Sequence, residues 1–195
     1  MLQSFEQELK QYFKQHQIVF DDNSGSFKRL DFGFGDSKSK RYFSFDVKEK
    51  RQRYATRNWP TEIPEEHLFI IDDLAARKIL AYAPNSGLVV RDNIRRKYFF
   101  FSVVDLYLMP KQRVNREIRK NVRSVKGKWM TDLRNGHAYD SLAEVFSGIE
   151  AYLDSREDIF LNILECYGEY AGEEVPKGGI VRRPEHWTVD VEETR

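Results

Sequence analysis

The stretch Tyr42-Phe-Ser-Phe-Asp-Val-Lys-Glu49 alternates apolar and polar side chains, as a β-strand between two different environments does. Asp46 and Lys48 are two residues apart, so on a strand they share one face and can converge on one point. The apolar side chains on the opposite face would be Phe43, Phe45 and Val47. A carboxylate that holds a divalent cation, beside a lysine that orients or activates water, suits metal-assisted hydrolysis.

A second alternating stretch precedes this one. Residues 27–34 follow a turn signal, Asp22-Asn-Ser-Gly25, and a polar loop over 35–40 connects them to the stretch 42–49. One face would carry Leu30, Phe32 and Phe34, and the other Arg29, Asp31 and Gly33. Two such strands predict a β-hairpin whose polar faces bring Asp31 close to Asp46 and Lys48.

The N-terminal residues 2–16 have the apolar spacing of an amphipathic helix. The positions that define its apolar stripe are Leu2, Phe5, Leu9, Tyr12 and Phe13. Glu6 lies beside that stripe and is expected at the edge of the buried face. Taken by itself, Glu6 has the ordinary interpretation of a solvated helix glutamate.

Three short motifs together resemble the PD-(D/E)xK nuclease superfamily. They are Glu6-Gln-Glu-Leu9 on the helix, Leu30-Asp-Phe32 after the Ser24-Gly-Ser26 loop, and Asp46-Val-Lys48. The first quarter of the chain is similar to the archaeal Holliday junction resolvases, which carry Glu-x-Glu-Leu, Val-Asp-Leu and Glu-Val-Lys in this order. Here leucine precedes Asp31 where the superfamily motif has proline, and Asp46 replaces glutamate. Past Lys50 the likeness ends, so junction specificity and the two-fold dimer do not carry over, and a homodimer is left open.

The resemblance implies a metal site and an activity. Asp31, Asp46 and the backbone carbonyl of Val47 would hold Mg²⁺, with Mn²⁺ as a substitute, and Glu6 would join them directly or through a metal-bound water. Lys48 would orient or deprotonate the nucleophilic water, or stabilise charge on the phosphate. The implied function is a Mg²⁺-dependent endonuclease acting on DNA. RNA as the substrate is one alternative. The other is an inactive nuclease fold used for nucleic-acid binding or protein assembly.

Two basic segments are the predicted contacts to a nucleic acid. The loop over 50–66 begins with Lys50, Arg51, Arg53 and Arg57. Residues 111–128 carry eight lysines and arginines against Glu117 alone, and their spacing predicts a helix. Its apolar side would hold Val114, Ile118, Val122 and Val125, and its basic side Arg116, Arg119, Lys120 and Arg123. A helix of this kind suits contact with the phosphate backbone, and a simply solvated face is the alternative.

The remaining pattern predicts an α/β fold. Strands are expected at 67–71, 88–90 and 98–108, a further strand over 127–133, and helices at 73–82, 142–153 and 159–167. We predict a restriction-endonuclease-like mixed β-sheet flanked by helices, with a C-terminal helical extension. The expected divisions are a nuclease-like core over 1–135, an acidic helical extension packed on it over 136–172, and a tail over 173–195 that orders only where it docks.

Composition narrows the class further. The chain has 195 residues, of which 41% are hydrophobic and 32% charged, and its net charge is +1. Those values are typical of a globular domain with a buried core. Cys166 is the single cysteine, which excludes an intrachain disulfide and a zinc site built from cysteines. No apolar run is long enough for a membrane span, and a reducing cytoplasm is the expected location.

Overall fold

The computed structural model describes residues 3–36, 41–117, 125–161 and 170–172. The helices are α1 (Phe5–Gln15), α2 (Asp73–Ala81), α3 (Val103–Leu108) and α4 (Leu142–Leu161). The strands are β1 (Phe20–Asp22), β2 (Phe32–Gly35), β3 (Tyr42–Lys50), β4 (Leu68–Asp72), β5 (Ser86–Asp92), β6 (Lys97–Ser102), β7 (Gln112–Glu117), β8 (Val125–Asp132) and β9 (His137–Tyr139). They form a six-stranded sheet in the order β1-β2-β3-β5-β6-β9 and a three-stranded sheet in the order β4-β8-β7.

The six-stranded sheet is mixed, with β3 at its middle. β3 pairs antiparallel with β2 and parallel with β5, and the crossover between β3 and β5 contains β4 and α2. A parallel pair needs such a crossover, and helices on both faces bury it. This arrangement confirms the predicted fold class, a mixed α/β sheet flanked by helices.

Each face of the main sheet is covered by its own hydrophobic cluster. α1 and α4 pack on the face that receives Phe43, Phe45 and Val47 from β3. α2, α3 and the three-stranded sheet pack on the other face. The alternation predicted for 42–49 is therefore confirmed, and the face opposite Phe45 carries Asp46 beneath α2.

The helix α1 forms as its apolar spacing predicts. Ser4 caps its N-terminus by accepting a hydrogen bond from the Gln7 amide. Its buried stripe is Phe5, Leu9 and Phe13, which packs among the phenylalanines of β2 and β3. Aromatic side chains bury large areas, so this contact fixes the rotation of the helix and with it the direction of Glu6.

The predicted helix over 111–128 is wrong. In the described part of this segment, β7 and β8 form an antiparallel pair, with Val114 opposite Lys128 and Glu117 opposite Val125. β8 also pairs with β4, so residues far apart in sequence decide the local structure. Ile118 and Val122 from the predicted apolar side lie outside the described residues.

Two further expectations need correction. The apolar run 98–108 is not one strand, because Ser102 caps a helix there and Asp105 completes a capping box. Residues 27–31 are not part of β2, and Leu30 packs in the cluster beneath α2 rather than with Phe32.

The C-terminal part of the described chain packs on the main sheet. β9 pairs with β6, and α4 contributes Val145, Phe146 and Ile149 to the same cluster as α1. The division drawn at residue 135 stays a prediction, and so does the tail over 173–195, which lies outside the described residues. Within the described ranges, no helix is both long and apolar enough to span a membrane.

Candidate active site

The hairpin of β2 and β3 places Asp31 beside Asp46. Phe32 pairs with Phe45, so the residue just before β2 lies next to the residue just after Phe45. The Asp31 Oδ2 accepts a hydrogen bond of 2.9 Å from the backbone amide of Val47. The predicted approach of these two carboxylates is confirmed, although Asp31 belongs to the loop before the strand.

Lys48 joins the two carboxylates. Its Nζ lies 2.5 Å from Asp46 Oδ2 and 3.5 Å from Asp31 Oδ2, and it donates a hydrogen bond of 2.9 Å to the Val47 carbonyl. One ammonium therefore contacts both carboxylates and the Val47 carbonyl. The predicted convergence of Lys48 with Asp31 and Asp46 is confirmed.

Burial sets the electrostatics of the site. Asp46 is 1% exposed and Asp31 is 9% exposed. Burial, and then the negative charge of Asp46, raise the pKa of Asp31 to about 6, against the opposing effects of Lys48 and the Val47 amide. Burial disfavours the charged form of Lys48, but the charges of Asp46 and Asp31 outweigh it and raise the pKa of Lys48 above its usual value. Lys48 is therefore an ammonium that balances part of the carboxylate charge.

A second lysine, which the sequence reasoning missed, reaches the same carboxylate. Lys78 Nζ lies 3.1 Å from Asp46 Oδ1 and donates a hydrogen bond of 2.7 Å to the backbone carbonyl of Arg29. At this distance the contact between Lys78 and Asp46 is an ion pair. Its geometry is not that of a hydrogen bond, so the buried Asp46 Oδ1 accepts none. Lys78 is a polar position on an ordinary amphipathic helix, so no signal in its own segment marks it.

The donor set suits a hard cation. Asp31, Asp46 and the Val47 carbonyl offer oxygen ligands of the kind that Mg²⁺ and Mn²⁺ prefer. Asp46 Oδ1 is buried and accepts no hydrogen bond, and its ion-pair partner is Lys78, so a metal ion held by Asp46 would share this carboxylate with that ammonium. In the described ranges, no three or more His, Cys, Asp or Glu side chains are grouped closely enough to hold a metal. Glu6 is therefore not a third carboxylate beside Asp31 and Asp46, and its predicted role could only be exercised through water.

Glu6 nonetheless shares a pocket with Lys48. It is exposed and lines a pocket of ≈350 Å³ together with Val47, Lys48 and Arg51. The neighbouring Glu49 accepts a hydrogen bond of 2.6 Å from the Phe5 amide, which ties the first turn of α1 to the end of β3. Burial disfavours the charged form of Glu49, but Arg51 and the Phe5 amide lower its pKa to about 2.

The second glutamate of the Glu-x-Glu motif has a structural role. Glu8 pairs with Arg91 on β5 and accepts a hydrogen bond from the Tyr98 hydroxyl on β6. Arg91 also lies 3.3 Å from Glu49. These contacts hold α1 across the sheet, so Glu8 positions the helix that presents Glu6.

The predicted nucleic-acid contacts divide into two groups. Lys50 is 0% exposed and donates hydrogen bonds to the carbonyls of Glu65 and Glu66, so its predicted contact with a nucleic acid is wrong. It faces the same side of β3 as Asp46, and the loop 51–66 folds over that side. Burial lowers the pKa of Lys50 to about 8. The other three predicted basic contacts of this loop, Arg51, Arg53 and Arg57, are exposed.

The structure joins the two basic segments. The guanidinium of Arg116 on β7 lies 4.2 Å from the ring centre of Trp59, which follows Arg57 in the loop. A cation over an indole face is an attractive contact. Trp59 and Arg116 therefore belong to one surface, although they are far apart in sequence. Arg119, Lys120 and Arg123 lie outside the described residues.

No family model matches the sequence, and no curated protein matches it. Among solved structures, the chain is similar to Hjc, a Holliday junction resolvase from the archaeal hyperthermophile Archaeoglobus fulgidus, at 12% identity and a TM-score of 0.39, covering 67% of this chain and 93% of that one. It is also similar to D212, a nuclease from a fusselovirus, at 8% identity and a TM-score of 0.40, covering 80% of this chain and 98% of that one. Both are nucleases, the class that the sequence resemblance named. Since both TM-scores lie below 0.5, the function proposed below is drawn from the residues of the site.

Proposed function

We propose that this chain is a nuclease that hydrolyses phosphodiester bonds in DNA with Mg²⁺, acting as an endonuclease. The observation that carries the proposal is the contact of one lysine, Lys48, with two buried carboxylates, Asp31 and Asp46. Burying like charges side by side is costly unless a cation neutralises them. A site with a purely structural role would avoid this cost by having apolar side chains at these positions. A phosphodiesterase, in contrast, needs the carboxylates to hold a metal.

Each residue has a defined task in this proposal. Asp31 and Asp46, with the Val47 carbonyl, would hold the ion, which when bound supplies Lewis-acid stabilisation of the negative charge that grows on the phosphate. The Val47 amide fixes the orientation of Asp31. Lys48, whose side chain is 35% exposed, is accessible enough to orient the attacking water or to contact a phosphate oxygen. Glu6, which lines the same pocket as Lys48, would contact the site through water.

The basic surface favours a nucleic acid as the polyanion. Arg51 lines the pocket beside Lys48, and Arg53, Arg57 and Arg116 are further exposed cations of the loop 51–66 and of β7. Arginines that neutralise phosphates release counterions and give salt-dependent binding. These contacts do not distinguish DNA from RNA. Competition between duplex DNA and single-stranded RNA at matched salt makes that distinction.

One observation favours a second candidate, a nuclease fold that binds nucleic acid without cutting it. Asp46 already has two cationic neighbours, Lys48 and Lys78, so its charge is balanced without a metal. An inactive protein with this site would bind DNA and show no specific affinity for Mn²⁺. An active one would bind Mn²⁺ in competition with these ammonium groups.

The test is nicking of supercoiled plasmid DNA in the presence of Mg²⁺ or Mn²⁺. The wild type should cut, while Asp46→Asn and Lys48→Gln should each lose cleavage and retain DNA binding. Lys97→Gln is the control, because Lys97 is 44% exposed and pairs with Asp140 on another part of the sheet. Equal cutting by wild type and Asp46→Asn would overturn the assignment. Calorimetry with Mn²⁺ separates an inactive protein from one tested on the wrong substrate.

A further inference from the structure

Phe27 projects into solvent from the loop that leads to Asp31 of the candidate active site. It is 99% exposed, and it lies in the loop 23–31 between β1 and β2. Single exposed apolar residues are common on protein surfaces, so exposure by itself indicates little. Phe27 differs because its loop ends at Asp31 and because the next two residues, Lys28 and Arg29, are exposed cations.

The loop holds this conformation through its own hydrogen bonds. The Asn23 amide donates to the Asp31 carbonyl at 2.8 Å and closes the loop at its base. The Ser26 amide donates to the Asn23 carbonyl at 2.7 Å, and Ser26 Oγ accepts from the amides of Lys28 and Arg29 at 3.2 and 3.3 Å. These contacts form a turn on both sides of Phe27. The outward direction of the ring is therefore built into the loop.

Two lysines fasten the same loop to the elements of the site. From α1, Lys10 Nζ lies 2.7 Å from Asp22 and 3.2 Å from Ser24 Oγ. From α2, Lys78 donates to the Arg29 carbonyl at 2.7 Å while it pairs with Asp46. The loop is thus held by the helix that carries Glu6 and by a side chain that contacts a predicted metal ligand. Phe27 has a fixed place relative to Asp31 and Asp46.

Resting on the nuclease function proposed above, we propose that Phe27 stacks on a nucleobase next to the phosphate that is cut. Every base offers an aromatic face, and stacking on an aromatic side chain contributes substantially to binding of unpaired bases. Lys28 and Arg29 supply positive charge for the phosphates on either side. In an intact duplex both faces of an internal base are already stacked. The preferred substrate class is therefore DNA with an unpaired or easily unstacked base, as at a branch, a gap or a single-stranded end.

The experiment measures binding without cleavage, in the Asp46→Asn background. The probe is a branched DNA with 2-aminopurine at the unpaired position next to the branch, compared with a duplex that holds 2-aminopurine internally. Phe27→Ala should weaken binding to the branched DNA about 5- to 100-fold and abolish the fluorescence change of the probe. Phe27→Tyr should preserve both. Val19→Ala is the matched control, because Val19 is another apolar side chain that is 88% exposed.

The outcomes separate this inference from the function on which it rests. Equal affinity and equal fluorescence change for Phe27→Ala and the Asp46→Asn parent would overturn the role of Phe27, whether or not the wild-type protein cuts plasmid. Weaker binding with an unchanged fluorescence signal would overturn it as well, since no base would then stack on the ring. Loss of the signal in Phe27→Ala, with retention in Phe27→Tyr and Val19→Ala, supports it. Absence of cleavage by the wild type with either metal counts against the nuclease function alone.

Discussion

Lys78 Nζ contacts both the buried Oδ1 of Asp46 and the backbone carbonyl of Arg29. The same ammonium therefore neutralises a predicted metal ligand and ties down the loop that carries Phe27. A cation bound by Asp46 would share that carboxylate with Lys78, and their positive charges would repel. Lys78 therefore stabilises the metal-free protein and, by the same contact, lowers the affinity of Asp46 for a metal ion.

We expect Lys78→Gln to lower the stability of the metal-free protein and to raise its affinity for Mn²⁺. Asp46 would keep Lys48, so the loss should be about 2 kcal/mol, below the roughly 3–5 kcal/mol that follows when a buried charge loses its partner entirely. Thermal unfolding in EDTA and calorimetry with Mn²⁺ measure the two effects. The control is Lys14→Gln on the exposed side of α1. If the variant is destabilised but its Mn²⁺ affinity is unchanged, Lys78 does not compete with the metal ion for Asp46.

The raised pKa of Asp31 predicts how metal-free stability depends on pH. A carboxyl group whose pKa is about 6 in the folded protein and near 4 in the unfolded chain holds its proton more tightly when folded. The raised pKa therefore adds to the free energy of unfolding below pH 4, and this added stability is lost as the pH rises through 6. Asp31→Asn should stabilise the protein by about 1–3 kcal/mol at pH 8 and by less at pH 5.

Thermal unfolding in EDTA at the two pH values checks this expectation. Asp31→Asn should at the same time lose cleavage, because the carboxamide is a poor ligand for Mg²⁺. Asp22→Asn is a suitable comparison, since the hydrogen bonds from Lys10 and Ser24 outweigh burial and lower the pKa of Asp22. A lower melting temperature for Asp31→Asn than for the wild type at pH 8 would contradict the net cost of ionising Asp31 in its buried site.

Lys50 and Arg53 should behave differently although both belong to the predicted basic loop. Arg53 is exposed, so Arg53→Gln should weaken DNA binding and reduce the slope of log affinity against log salt by about 1. Lys50 is buried, so Lys50→Met should leave that slope unchanged and instead lower stability by about 1–3 kcal/mol, through its bonds to Glu65 and Glu66. Titrations at several salt concentrations distinguish the two. A reduced slope for Lys50→Met would mean that the loop opens on binding.

The Trp59–Arg116 contact should contribute to binding by holding Arg116 in place. Arg116→Gln should weaken DNA binding, and Trp59→Leu should weaken it less, by an amount that disappears when Arg116 is already replaced. A double-mutant cycle on DNA affinity measures this coupling, expected at about 0.5–1 kcal/mol. Strictly additive effects would mean that the indole does not position the guanidinium for binding.

The central part of the site was predictable because its signals are local. Period-2 alternation placed Asp46 and Lys48 on one face, and a turn signal followed by a second alternating stretch placed Asp31 nearby. The mixed sheet flanked by helices followed from strands interspersed with helical patterns. Lys78 could not be predicted in this way, since its contact with Asp46 depends on how α2 packs over β3.

The structure of the basic segment 111–128, in contrast, could not be predicted from local signals. Its valines and isoleucine fit a helical period, yet β-branched residues also favour strands. Pairing with β4 favours the strand over the helix, because the register of β4 with β8 pairs Leu68 with Asp132 and Asp72 with Lys128. That partner lies far back in the sequence, so no window within the segment contains the deciding contact. The burial of Lys50 escaped prediction for a related reason, because the loop that covers it is irregular.

The parallel pair of β3 and β5 can form only after β5 has been synthesised. The motif residues Asp31, Asp46 and Lys48 leave the ribosome before β5, whose register with β3 runs from Ser86 to Asp92. Until then β3 lacks its central neighbour, and Lys78 has no fixed place beside Asp46. Non-local pairings of this kind form late in folding. A nascent or prematurely terminated chain that ends before Ser86 would carry the complete motif without the neighbouring strand on one side of β3.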